Sequence, residues 1–320
     1  MSKPIHTPYD LIPDLVHRPN WQLDSIVTGL KEARTAWRSV QNRPRHFGGR
    51  NLPSRESVQQ IIKALANALF PMRLGPIDLH QEAEDYYVGL QLDNALNTLF
   101  AQTRLELAYR IHVESLETIP ATEGSINLEE QAGRLVQSFS QTLPNIRHTL
   151  DQDVIAAFHG DPAARSVDEV LMCYPGINAM LYHRIAHELF RLELPLLARM
   201  IAELAHSETG IDIHPGATIG HGFFIDHGTG VVIGETATIG QNVRLYQAVT
   251  LGAKSFPKNT DGSLQKGHIR HPTVEDDVVI YAGATILGDV TIGRGSIIGG
   301  NVWLTHSVPA NSHILQNHPS

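Results

Sequence analysis

Ionisable residues able to do chemistry gather in three short stretches late in the 320-residue chain: Asp212-Ile213-His214-Pro215, Asp226-His227-Gly228-Thr229-Gly230 and Arg270-His271-Pro272. A histidine oriented by a carboxylate is a general base, suited to taking a hydroxyl proton as the oxygen attacks a carbonyl carbon. Asp212 and His227, fifteen residues apart, are the pair to consider. They form such a dyad if the fold sets them on neighbouring turns; otherwise they are two polar corner residues. His214, ahead of a proline, reads as structural, and His6, His80 and His318 read as surface residues. Phosphate cradles are missing from the sequence, which holds neither a P-loop nor a strand-linked GxGxxG.

The element that must carry these residues announces itself by spacing. Val274, Ile280, Ile286, Ile292, Ile298 and Leu304 recur at an unbroken interval of six, each followed four residues later by a small or branched residue from Val278 to Val308. Ile213 and Ile219 begin an earlier array that slips by two residues and resumes at Ile233, Ile239, Leu245 and Leu251. Period six fits neither an α-helix nor an alternating strand. It fits a parallel β-helix of three short flat sides, in which one aliphatic per side points inward and glycine permits the corner. One circuit of three hexads is close to the Asp212–His227 separation. Between Leu251 and Val274 the rhythm stops for a polar, glycine-containing segment, which must leave the column as an extended loop of the functional kind.

Residues 1–205 read as a helical domain and 206–320 as the β-helix, an α+β chain in which residues 1–52, rich in proline and arginine, form an irregular arm with one short helix from Trp21 to about Trp37. Helices are expected over 57–70, ending at Pro71, and over 81–113. Asn127 and Pro144 open two more, Ser166 and Glu169 have the spacing of a capping box, and 176–205 divides into two near Pro195. With 25 Lys plus Arg against 33 Asp plus Glu, a net charge of −8, the chain has no basic field for nucleic acid or an acidic membrane. A single cysteine, Cys173, read as a core residue, excludes a disulfide framework; no stretch is apolar enough to span a bilayer, and the N-terminus lacks the apolar core of a signal peptide. A cytoplasmic protein is the expectation.

The segments Gly160–Phe190, Thr209–Gly220, Phe223–Gly240 and Arg270–Gly288, with their DPAA, DIHP, IDHGTG and RHP runs, closely resemble serine O-acetyltransferase, over roughly residues 150–310. The resemblance implies a left-handed β-helix, packed as a homotrimer that the helical domains can pair into a dimer of trimers, with acetyl-CoA as a co-substrate between neighbouring helices and no permanently bound cofactor. It implies His227 as general base with Asp212 orienting it, Asp161 and Asp226 on the serine ammonium, and Arg270 on its carboxylate with His271 beside it. Ala253, Lys254, Ala282 and Gly283 are the positions implied for CoA. Direct transfer to serine without an acyl-enzyme would follow, giving O-acetyl-L-serine for cysteine biosynthesis, with cysteine as feedback inhibitor. Glu235 either supports the site or sits at a corner. An acetyltransferase using a sugar acceptor is the alternative, and it would not need groups for both ammonium and carboxylate. No metal is expected, since the zinc site of β-helix carbonic anhydrases has a His pair with four intervening residues, whereas five separate His221 from His227 and two separate His268 from His271. The chain departs from the family in a longer catalytic loop and in its ending, ILQNHPS, which lacks the isoleucine-terminated tail that docks O-acetylserine sulfhydrylase; no tail-mediated complex with that enzyme is expected.

Overall fold

A computed structural model describes residues 21–40, 52–117, 127–257, 259–260, 262–265 and 267–316, with backbone only at 112–117. The readings placed on residues 1–20, 41–51 and the last four residues lie outside the described residues. The chain divides into two compact units, 1–50 and 51–320. In the first, helix α1 (Leu23–Val40) presents Leu23, Ile26, Val27, Leu30 and Trp37 as an exposed stripe at three and four spacings.

The second unit starts with α2 (Arg55–Leu69), whose first turn is capped by the Ser54 hydroxyl and whose buried face is Val58, Ile61, Ile62, Leu65 and Leu69. Pro71 stops it and opens the short α3 (Pro71–Leu74). A 3-10 turn at Gln81–Ala83 leads into α4 (Glu84–Glu117), which runs past its expected end. Asn127 caps α5 (Leu128–Ser140) by accepting the Glu130 N–H, and Pro144 lies in the first turn of α6 (Leu143–Gly160). Before α7 (Val167–Cys173) the Ser166 hydroxyl accepts the Glu169 N–H, but the Glu169 carboxylate takes the N–H of Arg165 instead of Ser166, so the capping box closes one residue early. Cys173, expected in the core, ends this helix with its thiol exposed.

The last two helices are α8 (Pro175–Arg191) and α9 (Pro195–Thr209). Buried Glu106 of α4 accepts the N–H groups of Leu196 and Leu197, placing a carboxylate where the start of α9 leaves donors unpaired. Gly210, at φ 70°, closes α9 in the left-handed conformation, and the solenoid begins immediately after it, a few residues beyond the expected boundary at 206.

The solenoid is a three-sided prism of parallel strands. Its first face stacks Asp212–Ile213, Val232–Ile233, Thr250–Gly252, Thr285–Leu287 and Trp303–Leu304. The second stacks Thr218–Ile219, Thr238–Ile239, Thr273–Val274 and Thr291–Ile292. The third stacks Phe224–Ile225, Arg244–Leu245, Val279–Ile280, Ile297–Ile298 and His313–Ile314. In each rung the second residue points inward, and all twelve aliphatics that the hexad spacing selects, from Ile213 to Leu304, are buried. Each contributes roughly 1.5–3 kcal/mol of apolar burial. Val232 registers with Thr250, eighteen residues on, and Thr285 with Trp303, eighteen on again, the length of three hexads. Two circuits break that rule. Asp212 registers with Val232, twenty residues on, and Thr250 with Thr285, thirty-five on. The two extra residues fall in the corner Asp226–Val231, and the seventeen extra fall between Gly252 and Thr273.

Helices cover one remaining corner. Arg184 of α8 makes two hydrogen bonds with buried Asp153 of α6, at 2.9 and 3.0 Å, and donates to the carbonyls of Ile219 and Gly220, while Asp153 accepts the Phe223 N–H. The helical part and the solenoid share one continuous apolar core through Ile185, Leu189, Ile201 and Ile211.

Candidate active site

The residues singled out from the sequence assemble on the two edges of the first face. The edge where the third face turns into the first carries Asp226 and His227. Here the two-residue excess is absorbed by a tight turn in which His227, Gly228 and Gly230 all have positive φ, 58°, 83° and 79°. The turn lies on the end of α9: the Gly230 N–H donates to the Gly210 carbonyl, and a Cβ at Gly228 would strike Ile211. His227 adopts its left-handed conformation at a position most side chains avoid, and its imidazole is 70% exposed. Its Nδ1 is 3.6 Å from Asp226 Oδ1.

Asp161 reaches the same edge from the C-cap of α6. Its Oδ1 accepts the Ala163 N–H at 2.8 Å and its Oδ2 accepts the Tyr174 hydroxyl at 2.5 Å. These two bonds, with help from His227 and Arg244, hold the Asp161 carboxyl below the usual carboxylate range. The same hydrogen bond, reinforced by the charges of Asp161, Glu169 and Asp226, pushes the Tyr174 phenol up to about 12, so it stays a donor. Arg244 lies over the Phe224 ring and donates to Tyr246, whose ring stacks on Tyr281 one coil further along. Gly176, in the first turn of α8, packs so closely on the Ile225 carbonyl that no side chain fits, which brings Tyr174 beside Asp226.

Asp212 lies at the start of the first face, beside the same turn. The circuit through this corner is twenty residues, so the Asp212 backbone registers with Val232. Its backbone N–H donates to the Val231 carbonyl, which leaves it beside the turn, yet no hydrogen bond joins its carboxylate to the imidazole. Asp226 pairs with the imidazole at 3.6 Å, and the Asp161 carboxylate feels its charge. The slip between Ile225 and Ile233, visible in the hexad pattern, was the signal for this lengthened circuit.

Arg270 and His271 occupy the opposite edge, where the extended loop returns to the second face. Thr236 organises both: its hydroxyl oxygen accepts the N–H groups of Arg270 at 3.0 Å and His271 at 3.2 Å and lies 2.8 Å from His271 Nδ1. That nitrogen also accepts the Thr236 N–H at 3.1 Å, so the ring proton is on Nε2. Burial, reinforced by the Arg270 charge, drives the imidazole down to about 4, leaving a neutral donor with a fixed tautomer. The ring rests on Gly234, where a Cβ would lie 2.1 Å from it. Glu235 pairs with the Arg270 guanidinium, which also donates to the His268 carbonyl at 3.3 Å. His214 belongs to this edge as a structural residue, its Nδ1 accepting the Gly216 N–H.

The first face between these edges, Val231–Gly234, spans about 10 Å of extended chain. The four positions expected to hold CoA divide the same way: Ala253 and Lys254 follow the first-face strand at the Arg270 edge, and Ala282 and Gly283 lie at the His227 edge. The loop itself is less irregular than expected, since Gln265 and Asn259 close a small hairpin through the Pro257 carbonyl and the Ser263 backbone. Among the described residues no group of three or more His, Cys, Asp or Glu is placed to hold a metal ion, and no helix is long and apolar enough to cross a membrane. Tyr174 and Thr236 were not legible as site residues, because a lone tyrosine before Pro-Gly and a threonine in a repeat of threonines carry no signal until the coils are stacked.

Residues 271–306 match the bacterial transferase hexapeptide (six repeats) family. The plasmid serine acetyltransferase of Synechococcus elongatus is 56% identical over 304 residues, covering 93% of this chain and 92% of that protein. Serine acetyltransferase 1 of Entamoeba histolytica, solved with L-cysteine, superposes with a TM-score of 0.68 at 37% identity, covering 80% of this chain and 86% of that one. Soybean serine acetyltransferase, solved with serine, gives a TM-score of 0.51 at 30% identity over 83% of this chain and 98% of that one. The left-handed β-helix, the helical domain before it and an identity of this extent over nearly the whole length place the chain in the serine acetyltransferase family.

Proposed function

We propose that the protein transfers the acetyl group of acetyl-CoA to the hydroxyl of L-serine, in a cleft formed when the His227 edge of one copy meets the Arg270 edge of another. One observation carries this reading. Two carboxylates beside a histidine sit on one edge and a guanidinium beside a neutral imidazole donor on the other, with the first face, about 10 Å of extended chain, between them. Together they match a zwitterion: Asp161 and Asp226 take the ammonium, Arg270 and His271 the carboxylate. A sugar, with neither an ammonium nor a carboxylate, has no need of both pairs. The arrangement supports a homotrimer packed through the solenoid, with CoA between chains along positions 253–254 of one copy and 282–283 of the next.

In the reaction, the serine Oγ loses its proton to the His227 imidazole as the oxygen attacks the thioester carbonyl carbon. The tetrahedral oxyanion collapses, the C–S bond breaks, and the imidazolium returns the proton to the departing thiolate, giving O-acetyl-L-serine and CoA. Asp226, next to the ring, favours the transient positive charge. Cysteine keeps both charged ends of serine and exchanges only hydroxyl for thiol, so it fits the same cradle as an inhibitor. A cytoplasmic location, where serine and acetyl-CoA meet, goes with this reading.

The test is complementation. His227→Ala and Arg270→Ala proteins should each release thiol from acetyl-CoA with L-serine at under about a hundredth of the wild-type rate. Mixed, unfolded and refolded together, they should regain activity, since some clefts then take both intact edges. Activity no greater than the sum of the separate proteins would refute the shared cleft, and wild-type protein that acetylates a sugar but not serine would refute the substrate.

A further inference from the structure

The His227 edge contains a side chain that the two carboxylates and the base do not account for. Tyr174 stands at the N-cap of α8, its ring packed against the small apolar cluster of Val154, Ala157, Val170, Ile177 and Phe224 that seats the helices on the first coil. A ring clamped in this way holds its hydroxyl in one place, and that hydroxyl donates to Asp161 Oδ2 at 2.5 Å. With the Ala163 N–H on the other oxygen, both oxygens of Asp161 are fixed by donors on the protein side. A carboxylate on a surface turn would otherwise rotate freely about its Cβ–Cγ bond. Tyr174 is also close enough to Asp226 to feel its charge, so the phenol stands among the carboxylates of this edge.

Resting on the substrate reading above, we propose that Tyr174 is a positioning residue that holds Asp161 in the orientation needed for the acceptor's primary ammonium, and so makes the enzyme selective for an amino acid over an unaminated alcohol. Its proton is committed to Asp161, so it acts on the ammonium through that carboxylate. An ammonium has three N–H donors, which the oxygens of Asp161 and Asp226 can accept.

The experiment compares Tyr174→Phe with wild type on L-serine and on 3-hydroxypropionate, which keeps the hydroxyl and the carboxylate but has no amino group. Removing a hydrogen bond to a charged group should raise KM for serine about tenfold, while kcat and KM for acetyl-CoA stay within about twofold. Turnover of 3-hydroxypropionate should be the same in both proteins. In an Asp161→Asn background the Tyr174→Phe change should add nothing, because the residue acts through that carboxylate. An unchanged serine KM, an equal loss on both acceptors, or a further tenfold loss in the Asp161→Asn background would each overturn the proposal. Comparison on 3-hydroxypropionate also exposes a variant that is merely less stable, which loses both activities together. Wild-type protein inactive on serine would remove the substrate reading and this inference with it, whereas active wild type with an indifferent Tyr174→Phe removes the inference alone.

Discussion

The two edges of the first face are built by opposite means. At the His227 edge the chain inserts two residues, takes positive φ at three positions out of four, and leaves the imidazole open to solvent 3.6 Å from Asp226. At the other edge it inserts seventeen residues and then bolts Arg270 and His271 down, through Thr236, Glu235 and the His268 carbonyl, with His271 buried and neutral. A base must accept and return a proton, so its ring has to stay accessible and able to change charge. A binding donor must do neither, and locking its tautomer removes the reorganisation that would otherwise accompany each substrate. On the proposed assignment, one fold keeps a loose corner for chemistry and a rigid corner for recognition.

The contrast breaks most visibly at His227. His227→Gly should lower kcat about a thousandfold, and because glycine occupies positive φ without strain the melting temperature should stay level or rise. A clear drop in melting temperature would mean that the imidazole holds the corner together. The rigid edge is sharpened by pH. An ordinary histidine titrates near 6.5 and His271 near 4, so between those values the unfolded chain binds a proton that the folded one refuses. The stability from a neutral His271 is therefore complete above about pH 6.5 and is lost as pH falls toward 4, by up to on the order of 3 kcal/mol. Denaturant titrations at pH 7 and pH 4.5 should show that loss in wild type and much less of it in His271→Gln; equal losses would contradict the assignment. The smallest effect is expected from Gly234→Ala, whose methyl meets the His271 ring: a cost of about 2 kcal/mol in stability and a raised KM for serine at unchanged kcat, where an unaltered KM would show that the ring is not fixed by that contact.

Much of the architecture is legible before any folding. Every rung needs one inward aliphatic, so Ile213 through Leu304 declare the column, and the caps at Asn127 and Ser166 and the breaks at Pro71 and Pro195 declare most helix ends. The site is legible where the repeat fails, since both interruptions of the hexad pattern became the two edges. Spacing says less about surroundings: the slip lengthens the Asp212 circuit to twenty residues, and Cys173 looks apolar and internal until α7 turns it outward.

The order of residues alone settled the period, the inward column and the positions where chemistry interrupts them, because each of these depends on neighbours a few residues away. That Asp226 lies against His227, that the Tyr174 hydroxyl donates to Asp161, and that His227 and Arg270 lie on separate edges were decided only by stacking coils and seating helices on them. Those placements depend on residues tens of positions apart, and their distances are set by circuit length and by the close approach of Gly176 to the first coil, neither of which a local pattern encodes.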